Sequence, residues 1–333
     1  MGNQKVSIII LNYNGLKFLK KCLPTIEKQS YLTIETIVVD NNSSDGSCDF
    51  VKSQTSVKLI ANNENYGYSK ANNIAAGRAN GDFLLFLNND TELFPDMIEK
   101  LVLNYQEMSI LAPAQILFVN KGVDLFGAAG NGMDIFGYPY GNKNPKITKV
   151  FYVDGAAIFI KKEDFINIGM FDEELFLFEE DIDFSWRAQL MGYKIVQSWD
   201  SKFYHYSGGS ALGGGFKNKI YETSYFRRYL NERNVIRNIL KNYSFSFLVI
   251  ILPSLLLIHL CEIIILIIIG NWKVAACYFR AYHWNIMNFK DTIIHRKKVQ
   301  SVRIINDIKL INKIYFSYSK LIAFIRIGFP KFK

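Results

Sequence analysis

Cysteine is scarce in this 333-residue chain. The four present, Cys22, Cys48, Cys261 and Cys277, show no C-x-x-C spacing. A disulfide framework is thereby excluded, and a zinc site has no support. Reduced thiols in a cytoplasmic compartment are the simpler expectation. With 50% hydrophobic and 15% aromatic residues, a disordered or collagen-like chain is excluded too. A secretory leader is not expected: the apolar run Val6–Leu11 has six residues, and a leader core needs about 7–15. The sixth position is Val6 rather than Ser or Thr, so myristoylation is not expected. No G-x-G-x-x-G follows the first apolar run, which has only Gly15 after it. That argues against a dinucleotide-binding dehydrogenase.

Acidic residues are nearly absent from the last third. Residues 227–333 hold 18 Lys or Arg against four acids, Glu232, Glu262, Asp291 and Asp307, a net of +14. Residues 1–226 hold 21 basic and 26 acidic residues, a net of −5. A mildly acidic body is thus joined to a basic tail, which suits anionic membranes or nucleic acid.

In the body, short Ile- and Val-rich runs alternate with helical patterns. Strands are expected at Val6–Leu11, Ile34–Val39, Val57–Ala61 and Phe83–Leu87. Helices are expected at Leu16–Gln29, with Pro24 a kink point, at Tyr68–Arg78, and after Pro95. This alternation predicts a mostly parallel sheet with helices on both faces. Asn12, Asp40, Asn62 and Asn88 each directly follow a strand. Polar residues at turns are common, but four at one topological position point to a ligand edge at the carboxyl ends of the strands.

Five segments then occur in order: S-I-I-I-L-N-Y-N-G from Ser7, V-D-N-N-S-S-D-G-S from Val39, N-Y-G-Y-S-K-A-N-N from Asn65, L-N-N-D-T-E from Leu87, and F-D-E-E-L-F-L-F-E-E-D-I-D-F-S-W-R from Phe171. Together they resemble glycosyltransferase family 2, whose fold is the GT-A type. The resemblance covers roughly residues 5–240 and is closest to rhamnosyltransferases and related enzymes of surface polysaccharides. It implies an inverting transfer from a nucleotide sugar, and it assigns roles. Asp40 would contact the nucleotide base and Tyr13 would stack on it. Asn12, Asn72 and Asn88 would lie on the donor side, with Lys70 facing the diphosphate. Asp181 of Glu180-Asp181 would be the general base, with Glu180 as fallback. His205 resembles the family's late metal-binding histidine.

The residues carry part of this by themselves. Asp90 ends the D-x-D-like triplet Asn88-Asn89-Asp90, in which Asn replaces the first acid. A cation bridging phosphates prefers carboxylate oxygen, so Asp90 is the first metal candidate and His205 the second. The cofactor expected is Mn²⁺ or Mg²⁺, and imidazole suits Mn²⁺ better. His205 precedes five glycines within 208–215, a pattern suited to a lid. Glu179, Glu180, Asp181 and Asp183 place four carboxylates in five residues, and crowding should raise one pKa. Asp183 and Arg187 are spaced i,i+4, as in a structural ion pair.

In the tail, 217–242 reads as a helix whose basic face carries Arg227, Arg228, Arg233, Arg237 and Lys241. Phe247–Ile269 is 23 residues without Lys or Arg, long enough to cross about 30 Å of hydrocarbon. Basic residues on both flanks favour one side of the membrane, so a re-entrant hairpin bent near Pro253 is preferred to a single span. Lys309, Lys313 and Lys320 fit one face of an interfacial helix. Nucleic acid would suit the charge but not the apolar run, so no nucleic-acid partner is expected.

The expectation is an α/β protein with a GT-A-type catalytic domain at 1–226, its nucleotide half at about 1–110 and its acceptor and base half at about 111–226. A basic helical membrane-associated region follows at 227–333. A lipid-linked saccharide acceptor and anionic lipids at the cytoplasmic membrane face are the expected partners. The rival functions are a non-catalytic nucleotide-sugar-binding assembly protein and a nucleotidyltransferase.

Overall fold

The first half of the chain alternates strand and helix without a break. β1 (Val6–Asn12), α1 (Leu16–Glu27), β2 (Ile34–Asp40), α2 (Ser47–Lys52), β3 (Val57–Ala61), α3 (Gly67–Arg78) and β4 (Phe83–Asn88) follow one another. The computed structural model that shows this describes residues 4–119, 122–126, 131–141, 150–206, 215–217 and 220–333. The glycine-rich run at 208–214, expected to form a lid, lies outside the described residues.

Strands run in the order β3-β2-β1-β4, all parallel. Successive residues point to opposite faces, and both faces are covered. Ile9, Ile37, Val39, Leu84 and Phe86 pack with Ala71 and Ala75 of α3. Ile8, Ile10, Val38, Leu85 and Leu87 pack with Leu19, Cys22, Leu23 and Ile26 of α1. The strands are therefore apolar at nearly every position, as parallel strands buried on both sides must be.

The sheet then changes character. β5 (Thr91–Leu93), α4 (Met97–Asn104), β6 (Ser109–Val119), β7 (Gly122–Phe126), β8 (Asn131–Asp134), β9 (Pro139–Gly141), β10 (Ala157–Lys161), α5 (Lys162–Ile168), α6 (Glu180–Leu190) and β11 (Lys194–His205) follow. Beyond β4 the order is β10-β6-β11-β5. β10 is antiparallel to both its neighbours, and β5 is antiparallel to β11. The sheet is thus parallel from β3 to β4 and mixed beyond.

The last third is β12 (Gly215–Lys217), β13 (Ile220–Thr223), α7 (Tyr225–Asn242), α8 (Phe245–Ile268), α9 (Trp272–Met287), α10 (Phe289–Ser301), α11 (Asp307–Ile311), β14 (Ile314–Tyr315), α12 (Ser319–Ile327) and β15 (Lys331–Phe332). Here several expectations fail. The helix expected from 217 begins at Tyr225, capped by the Ser224 hydroxyl, which accepts from the Arg227 amide at 3.0 Å. The domain boundary expected between 226 and 227 falls inside α7. That helix offers no basic face to lipid. Arg237 pairs with Asp172 at 2.8 Å, Lys241 with Asp183 at 2.9 Å, and Arg228 with Glu232 at 3.1 Å. Arg233 donates to the carbonyls of Glu174 and Leu175.

α8 runs unbroken through Pro253, so the bend expected there is absent; the chain turns instead at Gly270, whose φ is +76°. The interfacial helix expected to carry Lys309, Lys313 and Lys320 is divided into α11, β14 and α12. Lys320 turns inward, 3.1 Å from Glu232 and 2.8 Å from Glu262. α8 buries one stripe, Ile251, Leu255, His259, Ile263 and Leu266, at helical spacing. Its His259 reaches Tyr138 and Tyr282, at 2.8 and 2.7 Å. Ile250, Leu257, Leu260, Ile265 and Ile268 on α8 stay exposed, as do Phe279 on α9 and Ile325 on α12.

Candidate active site

A cavity of about 380 Å³ opens at the carboxyl ends of β1 and β4. Its formation starts in the turns. Asn88-Asn89-Asp90 leaves β4 and enters β5, and β5 pairs with β11 so that Thr91 lies opposite His205. This register brings Asp90 Oδ1 within 3.1 Å of His205 Nε2, although the two are 115 residues apart. Both side chains are nearly buried and both line the cavity. The other ring nitrogen, Nδ1, contacts the Gln115 amide. Burial alone would lower the imidazole pKa, but the Asp90 carboxylate outweighs it by hydrogen bond and charge, so the pKa is raised.

Elsewhere in the lining, the chain from Phe176 to Glu179 has left-handed backbone at three non-glycine residues: Phe176, Phe178 and Glu179, with φ of 62°, 69° and 67°. Such conformations cost energy and need support. α7 supplies it. The Asn234 amide donates to the carbonyls of Leu175, Leu177 and Phe178 at 2.7–3.0 Å. Asn238 donates to the Glu179 carbonyl at 3.0 Å. From the other side, the Phe176 carbonyl accepts the Tyr68 amide at the start of α3. Gly67 is needed there: its φ is +74°, and a Cβ would stand 2.3 Å from the Phe176 oxygen.

The held loop delivers Glu179, Glu180 and Asp181 to the cavity. Asp181 Oδ2 accepts from the Gly155 amide at 3.0 Å, and Oδ1 from the Ile182 amide at 2.8 Å. Burial and the neighbouring Asp154 carboxylate push its pKa up to about 7, against those two hydrogen bonds. Burial and Asp181 together raise Glu180 well above the usual carboxylate range, and burial with Asp181 and Glu180 does the same to Glu179. Asp183 faces away. Burial works against its charge, but Arg187 and Lys241 more than compensate, and its pKa is lowered. It is the structural ion pair its spacing implies.

The cavity brings together Tyr13, Asn88, Asp90, Glu180, Asp181 and His205. Asn12, Asp40 and Asn72 are behind its wall. Asn12 is fully buried, donating to Asp40 Oδ1 at 2.7 Å and accepting from Asn89 at 2.7 Å. Asp40 also accepts the Ser43 amide at 2.8 Å. Its carboxylate is fully buried and accepts hydrogen bonds within the turn. Gly15 is part of the same turn, where a Cβ would stand 2.0 Å from Asn89 Nδ2. Asn72 donates to the Tyr68 carbonyl at 3.0 Å. Lys70 sits over the Tyr66 ring, 4.1 Å from its centroid, away from the cavity lining. Sequence reasoning assigned no role to Asp154, Asn41, Asn65, Phe176 or Phe178, and it placed Arg227 on a lipid-facing surface. All six line the cavity. Asp154-Gly155 at a strand end was the signal available for one of them.

Residues 7–166 match the family model described as Glycosyl transferase family 2. Residues 7–166 therefore form a glycosyl transferase family 2 domain. Among curated relatives it is similar to the O-antigen biosynthesis protein RfbC of Myxococcus xanthus, 26% identical over 242 residues. That match takes in 67% of this chain and 19% of RfbC, so the chain spans about a fifth of that relative's length. Among solved structures, the family 2 fold here is similar to GalNAc-T7 with UDP, GalNAc and Mn²⁺. The TM-score is 0.58 at 17% identity, over 74% of this chain and 49% of that one. It is also similar to the mannosyltransferase PcManGT from Pyrobaculum calidifontis in complex with GDP-Man and Mn²⁺. There the TM-score is 0.51 at 14% identity, over 91% and 86% of the two chains. These likenesses show the GT-A fold.

Proposed function

We propose that this family 2 protein is an inverting glycosyltransferase that moves a sugar from a nucleotide donor, dTDP- or UDP-linked with a rhamnose-like sugar favoured, to a lipid-linked saccharide. The observation that carries this is the shared cavity. Asp90, His205 and Asp181 line it together, and among the described residues no Lys or Arg forms an ion pair with Asp181.

Asp90 and His205 would hold a divalent cation. The fit rests on chemistry: a carboxylate oxygen and an imidazole nitrogen 3.1 Å apart, nearly buried and facing the cavity, form a donor set that suits Mn²⁺. Among the described residues no group of three His, Cys, Asp or Glu is close enough to bind a metal, so two protein ligands leave room for substrate oxygens. When bound, the cation supplies positive charge to the diphosphate. The chain does the rest. Tyr13, 44% exposed at the rim, offers its ring to the nucleotide base. Asp181 takes the proton of the acceptor hydroxyl. As that oxygen bonds to the anomeric carbon, the bond from carbon to diphosphate breaks on the opposite face, and the configuration inverts. A base pKa of about 7 is matched to work near neutral pH.

Membrane-face association is supported by the apolar residues exposed on α8, α9 and α12 and by Lys273, Arg280, Lys290, Lys297, Lys298, Lys309 and Arg326, which are exposed around them. α8 is bound along one side to the body, so it suits lying on a bilayer with its outer face immersed, rather than crossing alone.

The test is purified protein with Mn²⁺ or Mg²⁺ and a panel of UDP, dTDP and GDP, read by thermal shift. At least one should raise Tm, and the matching sugar nucleotide should turn over with a lipid-extract acceptor. Binding to none of them refutes the proposal. Binding without any turnover favours the non-catalytic assembly role.

A further inference from the structure

The acceptor side of the cavity carries features that donor binding and proton transfer leave unused. Five carboxylates line it: Asp90, Asp154, Glu179, Glu180 and Asp181. Against them stands Arg227, the one Lys or Arg among the described residues of the lining. An arginine in so acidic a cavity would be expected to close onto a carboxylate. Arg227 does not. Its guanidinium lies over the Phe178 ring, 4.7 Å from the centroid, and among the described residues it takes part in no ion pair within 4 Å. That contact leaves the N–H edge of the group without a carboxylate within 4 Å among the described residues. That edge is a fork suited to two oxygens of an anion.

Asn231 stands one helical turn further along α7 and lines the same cavity. Its Oδ1 is buried without a hydrogen-bond partner, as are Glu179 Oε2 and Glu180 Oε2. Buried acceptors without partners are costly, and here three residues that line the same cavity as Arg227 carry them. Hydroxyl groups would satisfy the acceptors, and an acidic group would satisfy the cation. The rings of Tyr152, Phe176 and Phe178 supply the apolar wall on which a sugar face can pack.

We propose that Arg227 and Asn231 form an acceptor subsite that reads a saccharide bearing a phosphate, with Arg227 on the anion and Asn231 Oδ1 accepting a sugar hydroxyl. This rests on the glycosyltransferase reading above and narrows its acceptor. Phe178, under the guanidinium, is three residues before Asp181, so their Cα atoms are at most about 11 Å apart. The anion therefore sits close to the attacked hydroxyl, as it does in a short saccharide on a lipid diphosphate. The same helix faces the exposed apolar surface from its other side. Glu232, paired with Arg228, meets Lys320 of α12 and His259 of α8 there. A diphosphate arriving from the lipid would reach the first turn of α7.

The test uses the full chain in zwitterionic nanodiscs, saturated with Mn²⁺ and the nucleoside diphosphate that stabilises it most. Two probe pairs differ chiefly in their anion: geranyl diphosphate against geraniol, and octyl glucuronide against octyl glucoside. Binding is read by calorimetry for wild type, Arg227→Ala and Arg227→Lys. Geranyl diphosphate should bind wild type about tenfold to a hundredfold more tightly than geraniol. Arg227→Ala should abolish that preference, and Arg227→Lys should keep part of it. Unchanged Tm and unchanged nucleotide affinity in the variants show that fold and donor side are intact. A preference confined to the glucuronide pair, and lost in Arg227→Ala, supports the subsite but assigns its anion to a sugar carboxylate. No preference in either pair overturns the proposal, as does a preference that survives Arg227→Ala. A variant that loses nucleotide affinity alone also overturns it, since Arg227 then serves the donor. Failure of wild type to bind any nucleoside diphosphate refutes the donor reading by itself, and the probe pairs still report on Arg227.

Discussion

Between Asp172 and Asp183 the chain carries two kinds of carboxylate, and they differ in what faces them. Asp172 and Asp183 look toward α7, where Arg237, Lys241 and, for Asp183, Arg187 meet them in buried ion pairs. Glu179, Glu180 and Asp181 look toward the cavity and have mainly one another and Asp154. Despite burial, cations pull the pKa values of the first pair down, whereas burial and like charge push those of the second group up. Acid density alone does not mark a catalytic group. Acids left without cations, in a cavity, do.

Substitutions that exchange the behaviour of the two groups test this contrast. The largest effect on activity is expected for Asp181→Asn: sugar transfer should fall about 10²–10⁴-fold, with nucleotide diphosphate affinity kept. Activity near wild type would remove Asp181 from the mechanism. The largest effect on stability is expected for Asp172→Ala. It leaves Arg237 and Lys241 facing each other without their shared partner, and a loss of about 3–5 kcal/mol should appear in denaturant unfolding. A loss below about 1 kcal/mol would mean that the cluster is not coupled as described.

The pH responses should be opposite in sign. Asp181 has a folded pKa raised to about 7. The native state therefore binds more protons than the unfolded chain between the ordinary carboxylate range and about 7, and stability falls as pH rises through that window. Asp181→Asn should thus raise Tm at pH 8. Asp172 has a lowered folded pKa, so its stabilisation is present above the ordinary carboxylate pKa and is lost as pH falls below it. Transfer rate should fall as pH drops below about 7, because Asp181 must be ionised. Asp154→Asn should move that acid limb to lower pH, since it removes the nearest repelling charge. An unmoved limb contradicts the assignment.

The smallest effect is expected for Asn234→Ala. It takes three hydrogen bonds from the strained loop, so kcat should fall several-fold and the acid limb should shift as Asp181 loses its fixed surroundings. An equal stability loss with an unchanged pH profile would make Asn234 merely structural.

Much of the parallel half of the sheet was legible. The strands are apolar because they are buried on both faces, and their period and punctuation gave β1 to β4 within a residue or so. Asp90, His205 and Asp181, singled out from motif order and residue chemistry, line one cavity. What the residues do not announce is where a side chain spends its hydrogen bonds. Asn12 and Asp40 lie at the expected strand ends, yet they satisfy each other across β1 and β2. The pairing of Asp90 with His205 comes from the register of β5 on β11, which is a long-range choice. The basic residues of α7 were misplaced for a related reason. Charge can be counted locally, but the carboxylate that neutralises Arg237 lies 65 residues earlier.

The central claim is that one cavity holds the donor on the Asp90 side and the base on the Asp181 side. Nucleotide affinity in Mn²⁺, measured alongside single-turnover transfer in the same preparations, tests it directly for wild type, Asp90→Ala and Asp181→Asn. Asp90→Ala should lose both affinity and transfer, while Asp181→Asn should lose transfer alone. Undiminished metal-dependent affinity in Asp90→Ala, or undiminished transfer in Asp181→Asn, would contradict it.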